Sequence, residues 1–153
     1  IGELKGLRFD DIQGNFICIQ RFVNDKHQIE DDIKGHTSSG IRWLPITDEC
    51  MKIIDRIREL NPNSEYLFFR DDKPLCTCTF NRRLKKYCEK LGIKYRSSHK
   101  IRFATASILH LNGVSDTEIQ KMLGHSTLAM TQYYLKNITS SMQTQAKVQS
   151  IFG

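Results

Sequence analysis

The stretch that decides the fold is SHKIRFATASILHLNGVSDTEIQKMLGHSTLAMTQYYL, residues 98–135. Its apolar residues recur at helical spacing and are interrupted at Asn112-Gly113 and at Gly124, where helices tend to end. Between these interruptions, Ser115-Asp116-Thr117-Glu118 has the sequence of a capping box, which opens a helix. The predicted helices run from a cap at Ser98 to Leu111, from Ser115 to Leu123, and from Thr127 to Leu135.

Four side chains of this stretch can act together on a phosphate ester. His99 and Arg102 are three residues apart, so a helix carries them on one face near its N-terminus, where a phosphate is favoured. Arg102 can hold two oxygens of that phosphate through its guanidinium group. His125 follows the Gly124 turn, and Tyr134 lies nine residues after His125. A phenol can attack a phosphodiester while these groups stabilise the charge, which predicts cleavage without a metal.

Each of these residues also has a structural explanation when it is taken alone. Arg102 is then part of a surface ion pair, and His99 belongs to a helix-capping region. His125 is then a turn histidine that bonds to the backbone. Tyr134 is then a core or interface residue, and the adjacent Tyr133 competes with it as a nucleophile. Only the ordered set favours the catalytic hypothesis over these alternatives.

The residues ahead of this stretch change from strand patterns to helical patterns at Thr47. Residues 15–23 are rich in β-branched and aromatic side chains, and further candidate strands span about 28–33 and 41–46. The small, polar residues 34–40 have the composition of a turn. Together these segments predict a three-stranded antiparallel sheet.

Further helices are predicted before and after these strands in the sequence. Residues 1–7 have the pattern of a helix end, and Thr47 caps a helix that Asn61-Pro62 ends. A basic helix follows from about Thr79 to Leu91, and a last helix covers Ser140 to Phe152. The apolar face of the helix after Thr47 consists of Cys50, Met51, Ile54, Ile57 and Leu60. The candidate contacts to a nucleic acid are Arg82, Arg83, Lys85, Lys86 and Lys100.

The composition is that of one ordinary globular domain, and the predicted elements place it in the α+β class, mainly helical with a small antiparallel sheet at one edge. The 153 residues are enough to bury a core, and 39% of them are hydrophobic and 26% charged. The net charge of +6 favours a polyanionic partner. No apolar run approaches the roughly 18 residues of a membrane span and no signal peptide opens the chain, so we expect a cytoplasmic protein without membrane contact. Five irregularly spaced cysteines suit reduced thiols and form no zinc-binding pattern.

Nearly the whole chain resembles the catalytic domain of the tyrosine recombinases, the phage-integrase-like family. Ile1-Gly2-Glu3-Leu4, continued by Leu7 and Asp11-Ile12, is similar to the family segment R-I-x-E-L-x-x-L-x-x-x-D-I without its arginine. Ile41-Arg42-Trp43-Leu44-Pro45-Ile46 is similar to the stretch K-T-x-x-x-x-R-x-I-P-L. The later sequence motifs of the family, called boxes, are matched by His99-x-x-Arg102, Leu123-Gly124-His125-Ser126 and Tyr134.

The resemblance implies site-specific strand exchange in double-stranded DNA, with no metal or other cofactor. In that chemistry the tyrosine forms a 3′-phosphotyrosyl link and releases a 5′-hydroxyl, which then attacks the partner duplex. Tyr134 matches the nucleophile, because the family places it nine residues beyond the histidine and Tyr133 is one residue short. Arg102 matches the second catalytic arginine, His99 the box-two histidine, and His125 the residue that contacts a non-bridging oxygen.

The resemblance also assigns a catalytic lysine, which protonates the leaving 5′-oxygen, to the turn of a β-hairpin. Lys34 is the predicted residue, although its spacing to Arg42 is longer than usual in the family, and Lys26 is a weaker candidate. The first catalytic arginine of the family stands immediately before the position of Ile1. We therefore expect residues 1–153 to be a fragment of the catalytic domain, without this arginine, the first helices or the core-binding domain, and nearly inactive alone.

The resemblance implies a tetramer on DNA, so we expect self-association. The predicted helix 140–152 either packs on its own body or docks on a neighbouring protomer. The expected role is that of an integrase of a mobile genetic element, a phage or conjugative transposon, and a chromosome-resolving recombinase is the alternative within the family. The rival from another class is a non-catalytic DNA-binding module, in which Ser115 to Tyr134 forms a helix-turn-helix pair.

Overall fold

The computed structural model describes residues 1–24, 26–30, 40–71, 73–133 and 135. The chain divides into two compact units, Ile1–Ser98 and His99–Gly153, and each unit is described by itself. Helices and small antiparallel sheets make up the described residues, which confirms the predicted α+β class. In this part of the chain, every helix is too short or too polar to cross a bilayer.

The first unit combines short strands with helices around one hydrophobic core. In chain order its described elements are α1 (Gly2–Lys5), β1 (Ile12–Gln13), β2 (Phe16–Ile19), β3 (Phe22–Val23), β4 (Ile29–Glu30), β5 (Arg42–Pro45), α2 (Asp48–Leu60), β6 (Phe69–Arg70), β7 (Lys73–Pro74) and α3 (Thr77–Lys90). A 3₁₀ turn, Phe9–Asp11, lies between α1 and β1. The buried residues of the core are Leu7, Phe9, Ile17, Ile19, Ile46 and Leu67.

The main sheet is antiparallel and has the strand order β1-β2-β5. Ile17 pairs with Leu44 across β2 and β5, and Ile17 and Ile19 are buried in the core on the same face. Because side chains alternate along a strand, Phe16 and Trp43 lie on the opposite face, where both are about half exposed. The sheet therefore has the predicted number of strands, and its second face is only partly exposed, because Cys18 on that face is buried.

The prediction is wrong about which strands form this sheet. The predicted strand 15–23 is two strands, and the second of them, β3, pairs with β4 in a separate hairpin, while β1 takes the third place. The break falls at Gln20 and Arg21, whose side chains donate hydrogen bonds of 2.6 and 2.7 Å to the buried Asp11 carboxylate. These contacts to a residue outside the strand coincide with the end of the ladder. Residues 31–39, with the rest of the predicted second strand and its turn, lie outside the described residues.

The helix α2 agrees with the prediction at its cap and along most of its apolar face. Thr47 Oγ1 accepts a hydrogen bond of 3.3 Å from the backbone N–H of Cys50, and the helix ends before Asn61. The side chains that pack against the core are Met51, Ile54 and Ile57. Cys50 and Leu60, which were predicted on the same face, are exposed in the first and last turns of the helix.

The helix α3 is the predicted basic helix, but it begins two residues earlier than predicted. Cys76 takes the N-cap position, so the helix starts at Thr77. It ends at Lys90, and Gly92 has a left-handed φ of +65° of the kind that favours glycine after a helix. This confirms the helix and its end while moving its start toward the preceding hairpin.

The second unit contains α4 (Ser98–Leu111), α5 (Asp116–Leu123) and helical residues 128–133. The helix α4 begins at Ser98 itself, so the prediction that Ser98 caps it from outside is wrong. The capping box of α5 is confirmed, because Ser115 Oγ accepts from the Glu118 N–H at 3.3 Å and the Glu118 carboxylate accepts from the Ser115 N–H at 3.1 Å. The buried core residues of this unit are Ala106, Ile119, Leu123 and Leu135. The predicted helix 140–152 lies outside the described residues.

Candidate active site

The helix α4 carries His99 and Arg102 on one face near its N-terminus, as their spacing requires. His99 is exposed, whereas Arg102 is partly buried. Arg102 Nη2 donates a hydrogen bond to the carbonyl oxygen of Leu123, the last residue of α5. The guanidinium group is therefore tied to the end of α5 by a backbone contact.

The turn after α5 determines where His125 lies. Gly124 has φ +66° and ψ 35°, a left-handed conformation that disfavours any residue with a side chain. The backbone N–H of His125 donates to the Gln120 carbonyl, and that of Gly124 donates to the Lys121 carbonyl, both at 3.1 Å. These are the two hydrogen bonds of a Schellman motif. Gln120 Nε2 also donates to the His125 carbonyl oxygen at 3.0 Å, which fixes the backbone from which the ring extends.

The His125 ring is held by a side chain from the following helical residues. Its Nδ1 lies 2.9 Å from Thr131 Oγ1. His125 is 9% exposed and Thr131 is 0% exposed. The hydrogen bond is therefore shielded from water. In this environment it is stronger than the same bond on the surface.

His99, Arg102 and His125 line one shallow depression on the second unit, together with Phe103 and Leu123. Arg102 carries a permanent positive charge, and each histidine can donate a hydrogen bond or become charged. A depression with these groups suits the oxygens of a phosphate. The structure thus brings together three of the predicted catalytic residues, from α4 and from the turn after α5.

Comparison with known proteins identifies the family. The model of the phage integrase family matches residues 1–140. This chain belongs to the phage integrase family. Among its relatives, the tyrosine recombinase XerC of Rickettsia bellii is 32% identical over 114 residues, which are 72% of this chain and 37% of that XerC.

Solved structures share the fold of this phage integrase family member. The crystal structure of XerA recombinase matches with a TM-score of 0.71 and 26% identity, over 95% of this chain and 51% of that one. The Tn1549 transposon integrase, in complex with a circular intermediate DNA, matches with a TM-score of 0.71 and 21% identity, over 95% and 54% of the two chains. The integrase-family chain therefore spans about half of each solved chain and less of the XerC relative.

Two residues that the family resemblance assigns to catalysis, Tyr134 and Lys34, lie outside the described residues. The weaker candidates for these two roles, Tyr133 and Lys26, are among the described residues. Tyr133 is 71% exposed, and Lys26 is exposed in the turn between β3 and β4, where its backbone N–H donates to Asn24 Oδ1 at 2.8 Å. The choice of Tyr134 over Tyr133, and of Lys34 over Lys26, stays a prediction.

The predicted nucleic-acid contacts of this integrase-family chain are all on helix surfaces. On α3 the exposed cations are Arg82, Arg83, Lys85 and Lys86. Lys85 Nζ lies 3.9 Å from a carboxylate oxygen of Glu89, which is one turn further along the helix. On α4 the exposed Lys100 has its Nζ 5.4 Å from the centre of the Phe103 ring. These cations are accessible to a large anionic partner.

Two neighbours of the site, Gln120 and Thr131, were not predicted from the sequence. A signal for Thr131 exists, because it lies four residues before Leu135 and therefore shares a helix face with a residue of the core. A polar residue at a core position of a helix needs a hydrogen-bond partner, and the nearby histidine is one. Gln120 has no such signal, since a partly exposed glutamine is ordinary on a helix.

Proposed function

We propose that this chain is the catalytic part of a tyrosine recombinase that cuts and rejoins double-stranded DNA. The observation that carries the proposal is the depression lined by His99, Arg102 and His125, which precede Tyr134 in the sequence order of the family. Family membership supports the proposal, because the XerC and XerA relatives are named as recombinases.

In the proposed reaction, the hydroxyl oxygen of Tyr134 attacks the scissile phosphorus, and the bond from phosphorus to the 5′-oxygen breaks. The products are a 3′-phosphotyrosyl link and a free 5′-hydroxyl. An unperturbed tyrosine has a pKa of about 10, so the attack depends on cations that stabilise the phenolate and the charge on the phosphate. Rejoining is the reverse step with the 5′-hydroxyl of a partner strand. The covalent link conserves the bond energy, and the proposed reaction uses no cofactor.

Each catalytic residue has a separate proposed role. Arg102 and His125 bind non-bridging oxygens, and His99 donates a hydrogen bond or transfers a proton. Lys34, with Lys26 as the weaker candidate, protonates the 5′-oxygen as it leaves. Because Arg102 is hydrogen-bonded to the Leu123 carbonyl, its guanidinium group is oriented before DNA binds, and preorganised charge lowers a barrier more than charge that must reorient.

The proposed partner is double-stranded DNA. The Tn1549 integrase, which shares the fold, is solved in complex with DNA. In this chain the exposed cations of α3, together with Lys100, are proposed to contact phosphates, since phosphate contacts dominate the affinity of proteins for DNA. A tetramer on DNA, docking of residues 140–152 on a neighbouring protomer, a cytoplasmic location and a role as the integrase of a mobile element complete the proposal.

The test uses the full-length protein and DNA from the ends of the mobile element. This DNA is nicked, so that the fragment released by cleavage diffuses away. We expect a covalent protein–DNA band on a denaturing gel that survives EDTA. The band disappears with Tyr134→Phe and remains with the matched variant Tyr133→Phe. Lys34→Ala slows its formation more than Lys26→Ala does.

The opposite outcome has a definite meaning. If the protein retards DNA in a native gel but forms no adduct, and Tyr134→Phe changes nothing, the chain is a non-catalytic DNA-binding module. An adduct that EDTA abolishes would show that a metal takes part and would overturn the proposed mechanism.

A further inference from the structure

Thr131 is a buried polar residue that no step of the proposed reaction uses. It is 0% exposed, and its Oγ1 lies 2.9 Å from Nδ1 of His125. The core of the same unit is apolar, with Ile119 and Leu135 among its buried members. A hydroxyl is costly to bury without a hydrogen bond, so a threonine at this position needs the histidine ring as its partner.

The contact at Nδ1 determines what the rest of the ring can do. A neutral imidazole has one N–H, and the hydrogen bond at one nitrogen decides whether the other nitrogen is a donor or an acceptor. A threonine hydroxyl can rotate to donate or to accept. If it donates to Nδ1, the proton of the ring is on Nε2, and Nε2 is then a hydrogen-bond donor.

The backbone and the ring of His125 are each held by a hydrogen bond. The Gln120 side chain holds the His125 carbonyl oxygen at 3.0 Å, and Thr131 holds the ring at 2.9 Å. A ring with only the backbone contact can still rotate about its side-chain bonds. The threonine contact therefore selects one ring orientation.

We propose that Thr131 is a positioning residue for His125. Its hydroxyl donates to Nδ1, keeps the ring proton on Nε2, and so prepares Nε2 to donate a hydrogen bond to a non-bridging phosphate oxygen. The proposal rests on the proposed function for the role of the phosphate, but the hydrogen bond and the tautomer are properties of the protein alone.

The first test determines the tautomer of His125 in the full-length protein without DNA. The ¹⁵N shifts of the two ring nitrogens distinguish the one that carries the proton, and His125→Ala identifies the signals. We expect one tautomer, protonated at Nε2, in the parent and in Thr131→Ser, and a mixture of tautomers in Thr131→Val. A proton on Nδ1 in the parent, or an unchanged tautomer in Thr131→Val, would overturn the proposal.

A matched control separates this effect from lost packing. Ile119 is 0% exposed in the same core and has no polar side-chain atoms, so Ile119→Val removes a methylene group there without touching the hydrogen bond. We expect the tautomer of His125 to be unchanged in Ile119→Val. A mixture of tautomers in this control would mean that general loosening of the core, rather than the hydroxyl, controls the ring.

The second test measures adduct formation in the full-length protein. We expect Thr131→Val to lower the cleavage rate by roughly 10- to 100-fold, the range found for residues that orient metal-bound histidines, and Thr131→Ser to restore most of it. In the His125→Ala background, Thr131→Val should cause no further loss, because the two residues act through one contact. A further loss of the same size would overturn the positioning role. If the parent forms no adduct at all, the proposed function fails while the tautomer result still stands.

Discussion

At the residue scale, the candidate site depends on side chains that are oriented by atoms elsewhere in the same unit. Arg102 is held by the Leu123 carbonyl oxygen, and His125 is held by Thr131. Both partners are neutral hydrogen-bonding groups of the second unit. The two residues that are proposed to bind the phosphate are therefore oriented by hydrogen bonds within that unit.

The guanidinium group of Arg102 gives the first prediction. Lysine keeps the positive charge at this position but lacks the planar fork that holds two oxygens. We expect Arg102→Lys to slow single-turnover adduct formation by about 10²–10³, the usual loss for one preorganised donor, while DNA affinity changes little. Arg96→Lys is the control, because Arg96 is exposed just ahead of α4. Equal losses in the two variants would contradict a special role for Arg102.

The carboxylate of Asp11 gives a prediction about stability. Asp11 is 2% exposed and forms an ion pair of 2.7 Å with Arg21. Asp11→Asn keeps the shape of the side chain but removes its charge from this buried pair, so we expect the free energy of unfolding to fall by about 3 kcal/mol. Urea denaturation of the 153-residue chain measures this change. The exposed Asp10→Asn should stay within about 0.5 kcal/mol of the parent, and a similar loss in both variants would refute the argument.

At the element scale, α5 is the structural centre of the candidate site. Its N-terminus is fixed by the capping box, its last carbonyl holds Arg102, and the turn after it carries His125. A helix of this length depends on its ends, because few internal hydrogen bonds oppose fraying. Anything that weakens the start of α5 therefore affects both groups that are proposed to bind the phosphate.

The capping box makes the stability of α5 depend on pH. The hydrogen bonds that Glu118 accepts from the Ser115 hydroxyl, at 2.6 Å, and from its backbone N–H lower the pKa of Glu118 below its ordinary value of 4.5. Because the folded pKa is the lower one, this contribution is present above pH 4.5 and is lost as the pH falls through the folded pKa.

Glu118→Gln tests this dependence, since glutamine can still close a capping box but does not titrate. We expect the difference in melting temperature between the parent and Glu118→Gln to shrink as the pH falls from 5 toward 3, the range that begins near the ordinary pKa of glutamate. Comparing the two proteins at each pH cancels the titration of the other carboxylates. A difference that is constant over this range would show that the carboxylate charge does not matter.

At the scale of the whole molecule, the proposed functional residues come from both units of the chain. Lys34 and the basic helix α3 belong to the first unit, while the residues of the depression belong to the second. Apart from Lys100, the proposed phosphate contacts thus belong to the first unit, and most of the proposed catalytic residues belong to the second. Variants of α3 should therefore change DNA affinity and leave the cleavage rate at saturating protein nearly unchanged.

The salt dependence of DNA affinity tests the proposed phosphate contacts of α3. Arg82 and Arg83 are exposed on α3, and replacing both with alanine should make the slope of log affinity against log salt shallower by about two if each contacts one phosphate. The control replaces Lys52 and Arg56 of α2 with alanine, which removes the same formal charge. These two residues lie in ion pairs of 2.7 and 2.6 Å with neighbouring glutamates. If both double variants change the slope equally, the effect belongs to net charge and not to α3.

Features that depend on neighbouring residues were predictable from the chain alone. The caps at Thr47 and Ser115, the helix end at Leu111 and the left-handed Gly124 all follow from residues within one or two helical turns. The family boxes are likewise short patterns, and the match over residues 1–140 agrees with the family they indicate.

Features that depend on distant residues became visible only in the folded chain. The strand break at Gln20 and Arg21 coincides with their hydrogen bonds to the Asp11 carboxylate, and the place of β1 in the main sheet depends on its pairing with β2. The contact from Arg102 to the Leu123 carbonyl joins residues on two helices. Capping and periodicity act through backbone geometry over a few residues, whereas strand pairing and buried hydrogen bonds depend on which segments meet in space.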